Sequence, residues 1–237
     1  MESNFAINQI LLRYNSSPEK NLKYAYEELK SINIDLEFIY TLLRTFEDEK
    51  TFSQNEYKKF PVEVIIDYIR RTHRYYLAKK LCEIEQSISI LLKDYSGSHP
   101  LLHILNNFFF DYKNGLAAHI HAEETYLLPY IHSLLLFEQG KLSIPEYFVT
   151  TKNYSVQAFI EAHHDTEQDL SNVRSAILEY HPPKTNQTPY RILITQLKEF
   201  EKDLSVHALI EDRVLIPRTL ELEKECNEAF YQKIKMN

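Results

Sequence analysis

A chain of 237 residues with 44% hydrophobic content is long enough to bury a proper core without disulfide or metal staples. A formal charge of -7 lacks the basic footprint that phosphate binding demands, which excludes nucleic acid and anionic membrane surfaces as partners. No apolar run approaches the ~20 residues that span a bilayer, and the polar start Met1-Glu-Ser-Asn4 is not a secretory signal, so cytoplasmic residence is the expectation.

Three glycines, seventeen tyrosines and long stretches without turn residues predict an all-α fold with aromatic rings in its core. Residues 1–58 read as a small helical unit, with apolar positions Ile7, Ile10 and Leu11, then Leu36, Ile39, Tyr40 and Leu43, at helical spacing. The polar stretch from Glu47 to Lys59 separates this unit from the rest, and Pro61 suits the first turn of a new helix. Four long helical patterns follow over residues 60–225. The first runs from Pro61 to about Lys93 and stops at the turn-forming cluster Asp94-Tyr-Ser-Gly-Ser98. The second runs from near Pro100 to about Phe137, and Gly140 and Pro145 mark the next connection. The third continues to about Tyr180 and is ended by His181-Pro-Pro183, while Thr188 and Pro189 cap and open the fourth, which runs to the mid-220s. Short connections between long helices predict an up-down-up-down four-helix bundle.

One eleven-residue phrase occurs twice in these helices. His119-Ile-His-Ala-Glu123-Glu124-Thr-Tyr-Leu-Leu-Pro129 and His207-Ala-Leu-Ile-Glu211-Asp212-Arg-Val-Leu-Ile-Pro217 share the pattern His-x-x-x-Glu-acid-x-x-Leu-apolar-Pro. Residues four apart lie on one helix face, so each copy aims an imidazole and a carboxylate at one place.

Antiparallel neighbours put two residues at equal height when both are equidistant from the turn between them. His73 and His119 have their midpoint at 96, His119 and His164 at 141.5, and His164 and His207 at 185.5. All three midpoints fall in loops assigned on glycine, proline and capping chemistry alone. One histidine per long helix therefore shares a single layer. Flanking apolar residues at helical offsets turn three of the histidines inward: Ile65, Ile66, Ile69, Leu77, Leu81 and Ile84 around His73, Leu116 and Leu127 around His119, and Phe200, Leu204, Ile210, Val214 and Leu215 around His207. On the third helix the pattern leaves His163 and His164 as alternatives.

A single histidine on an apolar helix face is normally a hydrogen-bonded core residue. Four in one layer, with Glu123 and Glu211, would bury uncompensated carboxylates at a cost of several kcal/mol per ion. Bound divalent metal removes that cost. Cys82 and Cys226 form no Cys-x-x-Cys pair, so the donors are nitrogen and oxygen, which favours iron, manganese or zinc. Six donors exceed one tetrahedral zinc and suit two octahedral irons, with both carboxylates and a solvent-derived oxygen bridging them and one position per iron open to a small ligand. His121 lies on the opposite face, His99 and His103 lie roughly 30 and 24 Å along the helix from His119, and His132 and His181 read as solvated. Glu124 and Asp212 either orient ligand side chains or are solvated charges. Glu161-Ala-His-His164 contains the Glu-x-x-His of ferritin-like diiron helices, but only once, where that fold needs it twice.

The motifs His119-x3-Glu123-Glu124-x3-Leu-Pro129, Glu161-Ala-x-His164-Asp165-x4-Leu170 and His207-x3-Glu211-x3-Leu-Ile-Pro-Arg218 resemble the hemerythrin-like domain of the RIC (repair of iron centers, di-iron) proteins over residues 60 to 222. The resemblance implies His73, His119, His164 and His207 as terminal ligands of an oxo- or hydroxo-bridged pair of non-haem irons, with Glu123 and Glu211 bridging. It thereby favours His164 over His163. It also implies a cytoplasmic protein of the nitrosative and oxidative stress response that restores damaged iron-sulfur clusters, with iron-sulfur proteins as partners and NO, O2 or peroxide as the small ligand. A hemerythrin-like sensor or carrier of O2 or NO is the alternative, an oxidase or NO reductase a third reading and a metal-free structural bundle a fourth. Residues 5–49, including Ile10-Leu-Leu-Arg-Tyr14, are similar to the family's N-terminal domain but lack its usual adjacent cysteine pair.

Overall fold

The computed structural model describes residues 2–14, 22–32, 34–95, 101–162, 170–172, 174–175 and 186–236. Among them every regular element is helical, so the all-α expectation holds. The N-terminal region folds as α1 (Glu2–Arg13), α2 (Leu22–Ser31), α3 (Leu36–Glu47), a 3-10 turn (Glu49–Thr51) and α4 (Gln54–Tyr57). Asp35 starts α3 by accepting from the amides of Glu37 and Phe38 at 2.9 and 3.1 Å. The buried face of α3 is Phe38, Ile39, Leu42 and Phe46, whereas Tyr40 is 51% exposed. Of the expected positions Leu36, Ile39, Tyr40 and Leu43, Ile39 is buried and Leu36 and Leu43 pack against the core, so the face is shifted only enough to turn Tyr40 out and bring Phe38 and Leu42 in. Both faces have helical spacing, and the one with two phenylalanines buries more apolar surface.

Three rods of the bundle are long. The first is α5 (Val62–Tyr75) continued by α6 (Leu81–Asp94), the second α7 (Leu101–Ala122) continued by α8 (Leu128–Glu138), and the last α11 (Thr188–Ile210) continued by α12 (Ile216–Met236). In the described part of the third rod, α9 (Ile144–Lys152) and α10 (Val156–Ala162) are separate helices. The expected continuous helix is broken at residues 153–155 because the Ser155 hydroxyl accepts from the Ala158 amide at 3.2 Å and starts α10 afresh. The last rod overruns its expected end in the mid-220s, since Leu222, Cys226 and Phe230 continue a buried stripe four residues apart. Its N-cap position is Gln187, one residue before Thr188.

Gly140 stops α8 with a left-handed φ of 68°. Its amide donates to Phe137 O at 3.0 Å and that of Lys141 to Leu136 O at 2.8 Å, the paired closure that favours glycine. Ser143 and Glu146 cap each other to open α9. The contacts of α6 with α7 and α11, of α8 with α9 and of α10 with α12 are those of an up-down-up-down bundle.

Two apolar clusters fill the interior. One joins Tyr76, Ile84, Leu116, Phe200 and Leu204. The other joins Ile65, Ile69, Leu128, Ile131, Ile210 and Val214 with Ile10, Leu11, Phe38 and Phe46 of the N-terminal helices. The stretch Glu47 to Lys59, read as a separator, contributes the fully buried Tyr57 to this second cluster. No helix of the described residues is long and apolar enough to cross a membrane.

Candidate metal centre

The repeat phrase accounts for two of the rods' histidine and carboxylate pairs, and α5 supplies a further histidine. His73, Glu123, His207 and Glu211 are buried, and His119 is slightly open with 13% of its side chain exposed. They meet where the two apolar clusters adjoin. The Glu123 carboxylate lies between two imidazoles, with Oε2 at 2.9 Å from His73 Nε2 and Oε1 at 2.7 Å from His119 Nε2. His207 Nε2 is 3.4 Å from Glu211 Oε2, and the His73 and His207 rings stand edge to face at 5.2 Å.

Two sets of three donors can each close on one ion: His73, Glu123 and His207, and His119, Glu123 and Glu211, with the donor atoms of each set within 4.8 Å of one another. Glu123 belongs to both. A carboxylate shared by two three-donor sets is the arrangement that a bridging ligand between two cations requires. Five of the six expected ligands are therefore brought together. His164 and its alternative His163 lie outside the described residues.

The donor set suits a metal on two counts. Nitrogen and carboxylate oxygen are the donors preferred by iron, manganese and zinc. In addition, His207 Nδ1 is buried with no hydrogen-bond partner among the described residues, a state that costs free energy unless something else is bound there.

Each of the three rods leaves α-helical geometry at this level. The amides of Leu81, Leu128 and Ile216 donate to the carbonyls five residues back, of Tyr76, Glu123 and Glu211, in π turns over Tyr76–Lys80, Glu123–Leu127 and Glu211–Leu215. Such widened turns concentrate at functional sites. In the two repeats the cause is legible: Pro129 and Pro217 have no N–H for the carbonyl four residues back, and their rings crowd it, so the preceding turn opens. The prolines of the repeat thus carried a signal for the π turns. The turn at Tyr76–Lys80 has no proline, and nothing in the structure explains it.

Around this layer, His73 Nδ1 donates to Glu124 Oε1 at 2.8 Å, and Glu124 Oε2 is 3.5 Å from Arg70 Nε. Of the second acids, Glu124 holds the His73 ring and Asp212 is exposed. Burial opposes charge on His73, but hydrogen bonds and proximity to Glu123 and Glu124 outweigh it and raise its pKa to about 9. The His73 hydrogen bond holds the Glu124 carboxyl below its ordinary value. His121 and His132 are exposed as expected, and both cysteines are free.

One buried polar group escaped the sequence reading. Arg13 ion-pairs with Asp203, and Tyr76 Oη donates to the same carboxylate at 2.7 Å. Asp203 lies four residues before His207 on an apolar face, and that misfit was its only signal.

Fold and donors define a class: all-α bundles with a buried layer of histidine and carboxylate side chains. The chain is similar to proteins named iron-sulfur cluster repair protein ScdA. It is 22% identical to that of Staphylococcus haemolyticus over 151 residues, 64% of this chain and 64% of the relative. With that of Staphylococcus epidermidis it is 23% identical over 186 residues, 78% of this chain and 79% of the relative. The first alignment therefore spans a little under two thirds of the relative's length. No family model matches the chain.

Proposed function

We propose that the chain is a RIC-type protein whose bundle, residues 60–225, holds two non-haem irons through His73, His119, Glu123, His164, His207 and Glu211, and that it acts in repair of iron-sulfur centres under nitrosative or oxidative stress in the cytoplasm. The observation that carries this reading is the membership of Glu123 in both three-donor sets. The similarity to proteins named for iron-sulfur cluster repair supports it independently.

When bound, iron would supply redox chemistry and a place for a small ligand such as NO, O2 or peroxide. The protein's own groups supply the rest. Glu123 and Glu211 provide negative charge that offsets the cations, His73 is oriented by Glu124, and the flanking apolar clusters keep bulk water from the layer. The N-terminal unit, residues 1–58, contributes Ile10, Leu11, Phe38 and Phe46 to one of these clusters.

The test is transfer. Iron-loaded protein is mixed with an apo iron-sulfur protein under anaerobic conditions, and both are analysed for iron after separation. Repair by donation predicts iron moving to the acceptor. Retention of both irons, with a reversible spectral change on exposure to O2 or NO, would instead establish a sensor or carrier.

A further inference from the structure

Arg13, the last residue of α1, has a fully buried side chain whose guanidinium reaches into the bundle. Its Nε donates to Thr72 Oγ1 at 2.9 Å, one terminal nitrogen donates to Gln9 O at 2.7 Å, and the other pairs with Asp203. Aromatic rings enclose it, with Tyr75 at 4.9 Å and Phe46 at 5.6 Å. Each bundle-side partner is adjacent to a donor of the metal layer. Thr72 precedes His73 in α5. Asp203 is one helical turn before His207 in α11. Tyr76, which donates to Asp203, packs its ring edge-on against His207 at 5.7 Å.

Stability alone does not account for such a pair, because a buried ion pair is often matched or surpassed by apolar side chains of similar volume. A rigid planar fork with directional bonds to two helices does something apolar packing cannot. It fixes their separation and rotation.

We propose that Arg13 is a positioning residue for the metal layer: from the N-terminal unit it locks α5 to α11 within one turn of the donors, so that the N-terminal unit governs how tightly metal is held. This rests on the reading that the layer binds iron. It gives the cysteine-free N-terminal unit a task that needs no thiol.

The test compares wild type with Arg13→Met and with the double variant Arg13→Met/Asp203→Leu, which replaces the whole pair by apolar side chains and is expected to fold even where the single variant does not. Two quantities are measured on the full chain. The first is the set of long-range 1H–15N signals of 15N-histidine in metal-free protein, where the signals of His73 and His207 should move while those of exposed His121 and His132 stay. The second is release of bound iron(II) to a chelator, which should accelerate about 10- to 100-fold, the usual effect of losing a partner that orients metal ligands. Unmoved His73 and His207 signals in a folded variant would overturn the proposal, as would unchanged release from a loaded one. If wild type takes up no iron, the metal reading fails, and the histidine signals still decide whether Arg13 positions the layer.

Discussion

His73 and Glu124 are joined at 2.8 Å through Nδ1, and this bond leaves Nε2 of the same ring facing Glu123. A ligand histidine whose other nitrogen donates to a carboxylate is fixed in tautomer and orientation. Glu124→Ala removes the anchor without touching a donor. Metal affinity should fall by about 10- to 100-fold while the amount bound at saturation stays the same, as read by competition with a chelator. An unchanged affinity would make Glu124 a solvated charge.

The raised pKa of His73 sets a pH dependence with two opposite signs. In the metal-free protein the ring is charged below about 9, and its pairing with Glu123 and Glu124 stabilises the fold fully below the ordinary histidine value of about 6.5 and is lost as pH rises through the folded value. Metal binding needs the neutral ring, so it expels a proton at neutral pH. The metal-free protein should therefore melt lower at pH 9.5 than at pH 6.5, other groups contributing equally, while metal affinity rises across the same window by up to about tenfold per pH unit. Calorimetric titration in buffers of different ionisation enthalpy detects the released proton. Absence of a buffer dependence would contradict the assignment.

Phe38 is fully buried and sets its ring edge-on to Phe60 at 5.2 Å and to Tyr68 at 5.8 Å. It thereby ties α3 of the N-terminal region to α5 of the bundle. Phe38→Ala should lower the stability of the whole chain by about 3 to 5 kcal/mol, and calorimetry should show one shifted transition. A separate early transition from the N-terminal region, with the bundle's unaltered, would show instead that the two melt independently.

The helical fold and the meeting of His73, His119, Glu123, His207 and Glu211 were legible because both rest on local rules. A histidine and a glutamate four residues apart share a face whatever the rest of the chain does, and the turn positions fix heights once the helices run antiparallel. The same locality explains what was missed. Tyr40 and Phe38 lie on faces that alternate spacing cannot rank, and the choice is made by Tyr57, Phe60 and Tyr68 from elsewhere. Arg13 and Asp203 are 190 positions apart, and only packing brings them together. The break at residues 153–155 turns on one serine hydroxyl, a signal too small to outweigh the apolar pattern around it.

Glu123 is the residue on which both halves of the layer depend. Metal analysis of anaerobically reconstituted wild type and Glu123→Ala, each shown to be folded by circular dichroism, is the most direct test of the centre. The account predicts two irons per chain in wild type and loss of both in the variant. Two irons retained by Glu123→Ala, or none bound by wild type, would contradict it.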